Sequence, residues 1–174
     1  MNYTTLANGA PVHGLSATHM LQHTNVLPVL AEALATIDPT GLPRFSKHTI
    51  DLGRPIGIMD RVTTTAEDKI VYAVRKGRSI LSRFVVDRVG EETSKISLIL
   101  LRRGGSKEAY QLVTAYFGEA AEMEPDDPNI KTIAEWNIAA EFWSKNALIW
   151  GTQMIDDGWQ LQNSFRTTRF RDSI

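Results

Sequence analysis

The stretch SKISLILLRRGGSKEAYQLVTAYFG, residues 94–118, decides the fold. Two apolar runs rich in strand-forming residues, SKISLILLRR and EAYQLVTAYFG, flank GGSK, whose glycines suit a reversal of the chain. In the second run, strand alternation predicts that Leu112, Thr114 and Tyr116 point to one side and the residues between them to the other. The stretch therefore predicts a β-hairpin.

The segments before this hairpin predict another hairpin and a helix. DKIVYAV and SILSRFVVD flank RKGR, residues 75–78, whose glycine suits a tight turn. Further upstream, PVLAEALATI, residues 28–37, spaces its apolar residues as one helical face, and DPTGLP ends that pattern. A start of this helix nearer to Ser16 is the alternative. The chain therefore reads as a helix followed by antiparallel strands.

The last third of the chain predicts a second helix. EPDDPN, residues 124–129, reads as a turn or linker because it is rich in proline and acid. After it, TIAEWNIAAEFWSKNALIWGTQMI, residues 132–155, places Trp136, Trp143 and Trp150 on one apolar stripe. We interpret this stripe as core in preference to a base-stacking platform.

Together these elements predict an α+β fold in a single domain over residues 1–174. An N-terminal helix precedes a twisted antiparallel sheet of about four or five strands, and an aromatic-rich C-terminal helix follows. Residues 1–16 read as an irregular arm, residues 17–118 as helix and sheet, and residues 119–174 as acidic linker, helix and basic tail.

Composition limits the function classes. The 174 residues include no cysteine, which excludes disulfides, thiol catalysis and cysteine-bound metals. Residues 41–118 hold 14 Lys and Arg against 8 Asp and Glu, a balance of +6, and residues 119–158 hold 2 against 9, a balance of -7. A basic block of this kind could bind a polyanion. No apolar run is long enough to span a bilayer and no signal peptide is visible, so we expect a cytoplasmic protein with no membrane association.

The candidate site begins at FSKHTIDLG, residues 45–53, where Lys47 and His48 stand side by side. A metal-free ribonuclease uses the 2'-hydroxyl of RNA as nucleophile and needs a base, cations for the phosphate and a hydrogen-bond donor. His48 could be the base, and Thr114 and Tyr116 could position the phosphate. The ordinary alternative is that His48 is a solvated histidine at a strand end. Candidate phosphate ligands, chosen by charge, are Lys47, Arg54, Arg75, Arg83 and Arg103.

Two weaker features complete the candidates. Lys145 and Asn146 are polar positions in an apolar helix and could face a groove or simply solvent. His19 and His23 are spaced for one helical face but lack a carboxylate as third ligand, so we expect no metal and no cofactor.

Two motifs carry a resemblance to a known group of nucleases. FSKHTIDLG resembles the Lys-His-x-x-Asp-Phe-Gly segment of colicin D-type nuclease domains, and QLVTAYFG, residues 111–118, resembles the closing strand of many bacterial toxin nucleases. The order of elements is similar to the barnase-like, EndoU-like, colicin-like and RelE-like (BECR) metal-independent ribonucleases. The resemblance implies that His48 is the general base, Lys47 its electrostatic partner, and Thr114 and Tyr116 the far wall of the site.

The sequence therefore predicts a metal-independent endoribonuclease of toxin or mobile-element type, which cleaves tRNA or other structured RNA and leaves a cyclic phosphate. Its expected partners are the RNA and a cognate antitoxin or immunity protein. The alternative is a non-catalytic interaction or regulatory module that keeps the fold and contacts a protein partner or forms a homodimer. An enzyme acting on an anionic small molecule is a third class. The position of His48 relative to Tyr116 and the arginines discriminates between them.

Overall fold

The structure is a computed structural model that describes residues 2–14, 24–105, 108–152, 155 and 164–165. Within these residues the chain forms strands, two α-helices and one short 3-10 turn, Thr24–Val26. The strands are β1 (Asn2–Thr5), β2 (Pro11–Gly14), β3 (Phe45–Asp51), β4 (Gly57–Ile58), β5 (Arg61–Thr63), β6 (Ile70–Val74), β7 (Leu81–Val85), β8 (Glu92–Thr93), β9 (Lys95–Arg103), β10 (Ala109–Phe117) and β11 (Asn146–Ile149). The helices are α1 (Leu27–Ala35) and α2 (Ile133–Lys145).

The chain divides into two compact units, each made of two separated segments. The first unit comprises Met1–Met59 and Glu92–Ala120, and the second comprises Asp60–Glu91 and Ala121–Ile174. Compact units of this kind can fold together or separately, so the single domain over residues 1–174 stays a prediction.

The first unit is built on a five-stranded sheet in the order β1-β2-β10-β9-β3. β2 and β10 are parallel, whereas β9 is antiparallel to both β10 and β3. A two-stranded ribbon, β4 with β8, belongs to the same unit. One face of the large sheet is buried under apolar residues of α1, which include Leu30, Ala33 and Leu34. This is the main core of the unit.

A β-bulge in β10 sets which of its side chains enter this core. Leu112 pairs with Leu100, but Thr114 pairs with Ile99, so Val113 is an extra residue in β10. Leu112 and Ala115 are both fully buried in the core, and Thr114 therefore points to the opposite face. The expectation that Leu112, Thr114 and Tyr116 share one side is wrong, because the bulge shifts the alternation by one residue.

The second unit holds a four-stranded sheet in the order β5-β11-β7-β6. β11 runs parallel to β7 and antiparallel to β5. α2 begins with a capping box, in which Thr132 and Glu135 bond each other's backbone N–H groups. Trp143 packs with Phe84 and Leu148 on one face of this sheet, and its indole Nε1 donates to the carbonyl of Glu122 at 3.0 Å. The long loop before α2 is thereby held to the helix.

The predicted α+β layout with one sheet of four or five strands is wrong. In the described part of the chain, eleven strands form three sheets, and β1 and β2 precede α1, so the helix over 27–35 is present but does not come first. The two predicted hairpins are confirmed, although they lie in separate sheets of separate units. The suggested helix start near Ser16 lies outside the described residues.

The predicted helix over residues 132–155 is correct only as far as Lys145. The next four residues, Asn146–Ile149, form β11 and fill the position between β5 and β7. Ala147, Leu148 and Ile149 are buried there, so burial and pairing on both edges override the helical spacing. Trp150 is consequently not on a helical stripe and is 38% exposed.

No helix among the described residues is long and apolar enough to cross a membrane. The cytoplasmic location stays a prediction.

We expect Gly57→Ala to destabilise the first unit. A Cβ atom at Gly57 would overlap the aromatic ring of Phe117, which is itself buried in the core. Overpacking of this kind costs about 1–3 kcal/mol in the free energy of unfolding, to be measured by urea denaturation. Gly104→Ala is the matched control, since nothing lies within 4 Å of its Cβ position. Equal unfolding free energies for the two variants would show that the ring moves freely.

Candidate functional site

The large sheet of the first unit has two chemically different faces. The core face carries Leu98, Leu100 and Ala115, all of which are fully buried. The opposite face, called the mixed face below, combines aromatic, cationic and hydroxyl side chains. Its members, assigned by strand register, are Phe45, Lys47, Thr49, Asp51, Lys95, Ser97, Ile99, Leu101, Arg103, Ala109, Gln111, Thr114, Tyr116 and His13 of β2.

Three of the four predicted catalytic residues lie on the mixed face. Lys47 pairs with Ile99, and Ile99 pairs with Thr114, so these three form one row across the sheet. Tyr116 lies in the next row, opposite Ser97. Because adjacent strands are about 4.8 Å apart, Lys47 and Thr114 are separated by roughly 10 Å at the backbone. A single phosphodiester segment could contact both.

His48 lies on the core face and not with the other three. It pairs with Leu98, which in turn pairs with Ala115, and both partners are fully buried. The imidazole is half-buried, and its Nε2 lies 2.9 Å from the Oγ of Ser46, two residues earlier on the same face. Burial lowers the pKa of His48 because it disfavours the charged imidazolium. His48 is therefore a neutral, hydrogen-bonded histidine at the edge of the core.

A set of hydroxyl bonds joins β3, β9 and the end of β10 on the mixed face. Ser97 is fully buried, donates to the carbonyl of Gly118 at 2.8 Å and lies 3.0 Å from the hydroxyl of Thr49. The backbone N–H of Ala120 also donates to that threonine oxygen at 3.3 Å. These bonds fix the end of the mixed face that carries Tyr116, so its backbone is rigidly placed.

Besides Lys47, two predicted phosphate ligands belong to the first unit. Arg103 is exposed at the end of β9 and lies on the mixed face. Arg54 instead forms a two-bond ion pair with Glu32 of α1, at 2.8 and 2.5 Å. Both members of that pair are about half exposed, so the pair is solvent-screened and its charge is already balanced.

The other two predicted phosphate ligands, Arg75 and Arg83, belong to the second unit. Arg75 donates to the buried carboxylate of Glu124 at 2.5 Å, and the hydroxyl of Ser82 donates to the same oxygen at 2.9 Å. Arg75 is therefore a structural ligand of Glu124. Arg83 is buried, and its Nη1 donates to the hydroxyl of Thr64 and to the carbonyl of Asn146, each at 2.9 Å.

Asn146 and Lys145 have separate surroundings. The amide of Asn146 donates to the carbonyl of Phe142 at 2.9 Å, which closes the end of α2. Lys145 is exposed and pairs with Glu141 one helical turn earlier, at 2.9 Å. The structure gives both residues a local role at the helix-to-strand junction.

Sequence reasoning missed two features of the first unit. Phe45 is 55% exposed on the mixed face, and Ser46 bonds His48 on the core face. Strand alternation could have predicted both, because it puts Phe45 on the same face as Lys47 and Ser46 on the same face as His48.

The described residues contain no group of three His, Asp or Glu side chains that could hold a metal. His19 and His23 lie outside the described residues, as do the tail arginines Arg166, Arg169 and Arg171.

No protein-family model, no curated protein and no solved structure matches this chain. The resemblance to colicin D-type nucleases therefore stays a prediction.

We expect His48 to make the fold less stable at low pH. Because burial lowers the pKa of His48, the unfolded chain takes up this proton at a higher pH than the folded chain. The stabilising contribution is complete above the unfolded value of about 6.5 and is lost as pH falls below it. The free energy of unfolding should therefore drop more between about pH 7.5 and about pH 5 in the wild type than in His48→Gln.

The control for this measurement is Gly104→Ala, a substitution in the same unit that meets nothing within 4 Å of its Cβ position and removes no titratable group. It should keep the pH dependence of the wild type. A His48→Gln variant with the same pH dependence as the wild type would contradict the assignment of His48 to the core face.

Proposed function

We propose that the chain binds RNA through the mixed face of the first unit and that His48 takes no direct part in its chemistry. The observation that supports this proposal is the register of β3, β9 and β10. It collects Phe45, Lys47, Thr114 and Tyr116 on one face and places His48 on the other.

The side chains of the mixed face suit single-stranded RNA. Exposed aromatic rings on an antiparallel sheet can stack on unpaired bases, and nearby cations attract the phosphates. Phe45 is the most exposed ring on this face, Lys47 lies two residues further along the same strand, and Arg103 projects from the neighbouring strand. Thr114 adds a hydroxyl that can donate to a phosphate oxygen.

The acidic groups at the ends of these strands are already engaged. Asp51 accepts a bond from the backbone N–H of Gly53 at 2.9 Å, and Glu119 pairs with Lys95 at 2.5 Å. The row that carries Lys47 and Thr114 contains no carboxylate. A row without a carboxylate does not repel the phosphates of RNA.

Metal-independent RNA cleavage is the second candidate function. It is favoured by the shared face of Lys47, Thr114 and Tyr116, since a cation and two hydroxyls can stabilise a phosphorane-like transition state. In that case the base is a group other than His48, and His48→Ala should still cleave tRNA to a 2',3'-cyclic phosphate in the presence of a chelator. An antitoxin or immunity partner and a homodimer also stay predictions.

We expect Lys47→Ala and Phe45→Ala to weaken binding of a uridine-rich single-stranded RNA in chelator. Loss of Lys47 should lower the salt slope of log K by about one, because one phosphate contact is removed. Loss of Phe45 should cost about 1–3 kcal/mol of binding free energy with little change in salt slope, because one stacked base is lost. Fluorescence anisotropy at several salt concentrations measures both effects.

Arg54→Ala is the matched charge control, because Arg54 binds Glu32 of α1, the helix that covers the core face of the sheet. It should leave the affinity within about twofold of the wild type, a difference of roughly 0.4 kcal/mol. Absence of RNA binding by the wild type at low salt would reject the proposal and favour the protein-interaction class. Equal losses in Arg54→Ala and Lys47→Ala would show attraction by net charge instead of a defined face.

A further inference from the structure

Arg83 is a buried cation in the middle of the sheet of the second unit. It lies on β7, between β6 and β11, and only 8% of its surface is exposed. Its neighbours on the same face of the sheet are Tyr72, opposite it on β6, and apolar residues that include Val62, Val85 and Ala147. A charge in such a place is costly unless a counter-charge accompanies it.

The bonds to Arg83 come from neutral groups alone. Nη1 donates one hydrogen to the hydroxyl of Thr64 and one to the carbonyl of Asn146, each at 2.9 Å, so both hydrogens of that nitrogen are used. No carboxylate among the described residues lies within ion-pairing distance of Arg83. Its charge is therefore hydrogen-bonded but not neutralised.

Three N–H groups of Arg83, one on Nε and two on Nη2, have no bond to another described residue. Neither nitrogen belongs to the fully buried atoms that lack partners, which in the described part are Nε of Arg75 and Nε1 of Trp136. Solvent therefore reaches the Nε–Nη2 edge of Arg83. This edge is the planar fork that binds phosphate or carboxylate through two parallel bonds.

Other arginines of the same unit show what a structural arginine has here. Arg75 pairs with Glu124 at 2.5 Å, and Arg88 donates to both oxygens of Asp68 at 2.9 Å. A purely structural role for Arg83, joining the ends of β5 and β11, accounts for Nη1. This structural role does not explain why the Nε–Nη2 edge has no bond to a described residue or why the charge of Arg83 has no counter-charge.

We propose that the Nε–Nη2 edge of Arg83 is a binding site for a phosphate group, with Thr64 and the carbonyl of Asn146 holding the guanidinium in place from the other side. The phosphate would complete the charge balance that the described residues leave open. Because Arg83 lies in the second unit, this inference does not rest on RNA binding by the mixed face of the first unit.

The test is thermal unfolding of the full chain with inorganic phosphate, uridine 5'-monophosphate or uridine, at ionic strength matched with sodium chloride. A ligand that binds the native state alone raises Tm with its concentration. We expect inorganic phosphate at about 20 mM to raise the Tm of the wild type by at least about 2 °C, and uridine to have no effect. A larger shift with the nucleotide than with inorganic phosphate would identify a nucleotide phosphate as the ligand.

Arg83→Met should abolish the phosphate-dependent shift, whereas the matched control Arg88→Met, which removes an ion-paired arginine of the same unit, should keep it. If Arg83→Met does not fold, Arg83→Lys carries the test. A lysine keeps the charge without the fork, so we expect its phosphate affinity to fall at least about fivefold. No shift in the wild type, or equal shifts in the wild type and either Arg83 variant, would overturn the proposal.

Discussion

The extra residue at Val113 in β10 is the constraint on which the first unit depends. β10 lies between β2 and β9, so its alternation decides what faces the core on one side of the sheet and what faces away. Had Val113 paired with Ile99, Thr114 would pair with Leu98 and share the core face with His48. Instead, the bulge puts Ala115 in the core beside Leu112 and turns Thr114 and Tyr116 to the face that carries Lys47. A shift of one residue in register therefore decides whether His48 shares a face with Thr114, as a catalytic role requires, or lies on the opposite face.

The same bulge avoids an energetic penalty. Thr114 on the core face would bring a hydroxyl among Leu98, Leu100 and the apolar side chains of α1, and an unbonded buried hydroxyl costs about 1–3 kcal/mol. The buried hydroxyl side chains of the described part of the unit have partners: Ser97 bonds Gly118 and Thr49, and Tyr110 donates to Glu108 at 2.7 Å. Burial raises the pKa of Tyr110 to about 12, so this phenol stays a hydrogen-bond donor. The sheet thus keeps its hydroxyls bonded or turned away from the core.

Local patterns predicted local elements, and non-local pairings escaped them. Both hairpins and the positions of both helices follow from alternation and helical spacing, which involve residues near in sequence. The parallel pairs β2 with β10 and β11 with β7 join segments about a hundred and about sixty residues apart, and no local pattern reveals them. Because these pairings were not foreseen, the predicted number of strands was too low. For the same reason Asn146–Ile149, expected to be helical, is a strand. The bulge has no signal either, since Val-Thr-Ala suits an ordinary strand.

The folded chain also shows which basic residues are neutralised by ion pairs, which a count of charges along the sequence does not. Glu124 of the acidic segment pairs with Arg75, 49 positions away in sequence, and Glu32 of α1 pairs with Arg54. Both arginines thereby lose the role of a phosphate ligand, although the charge balance of their block predicts otherwise. A cation is suited to bind a ligand when the fold orients it without neutralising it. Arg83 satisfies this condition through its fixed Nη1 and its solvent-reached second edge, and its neutral partners, Thr64 and Asn146, are known only from the folded chain.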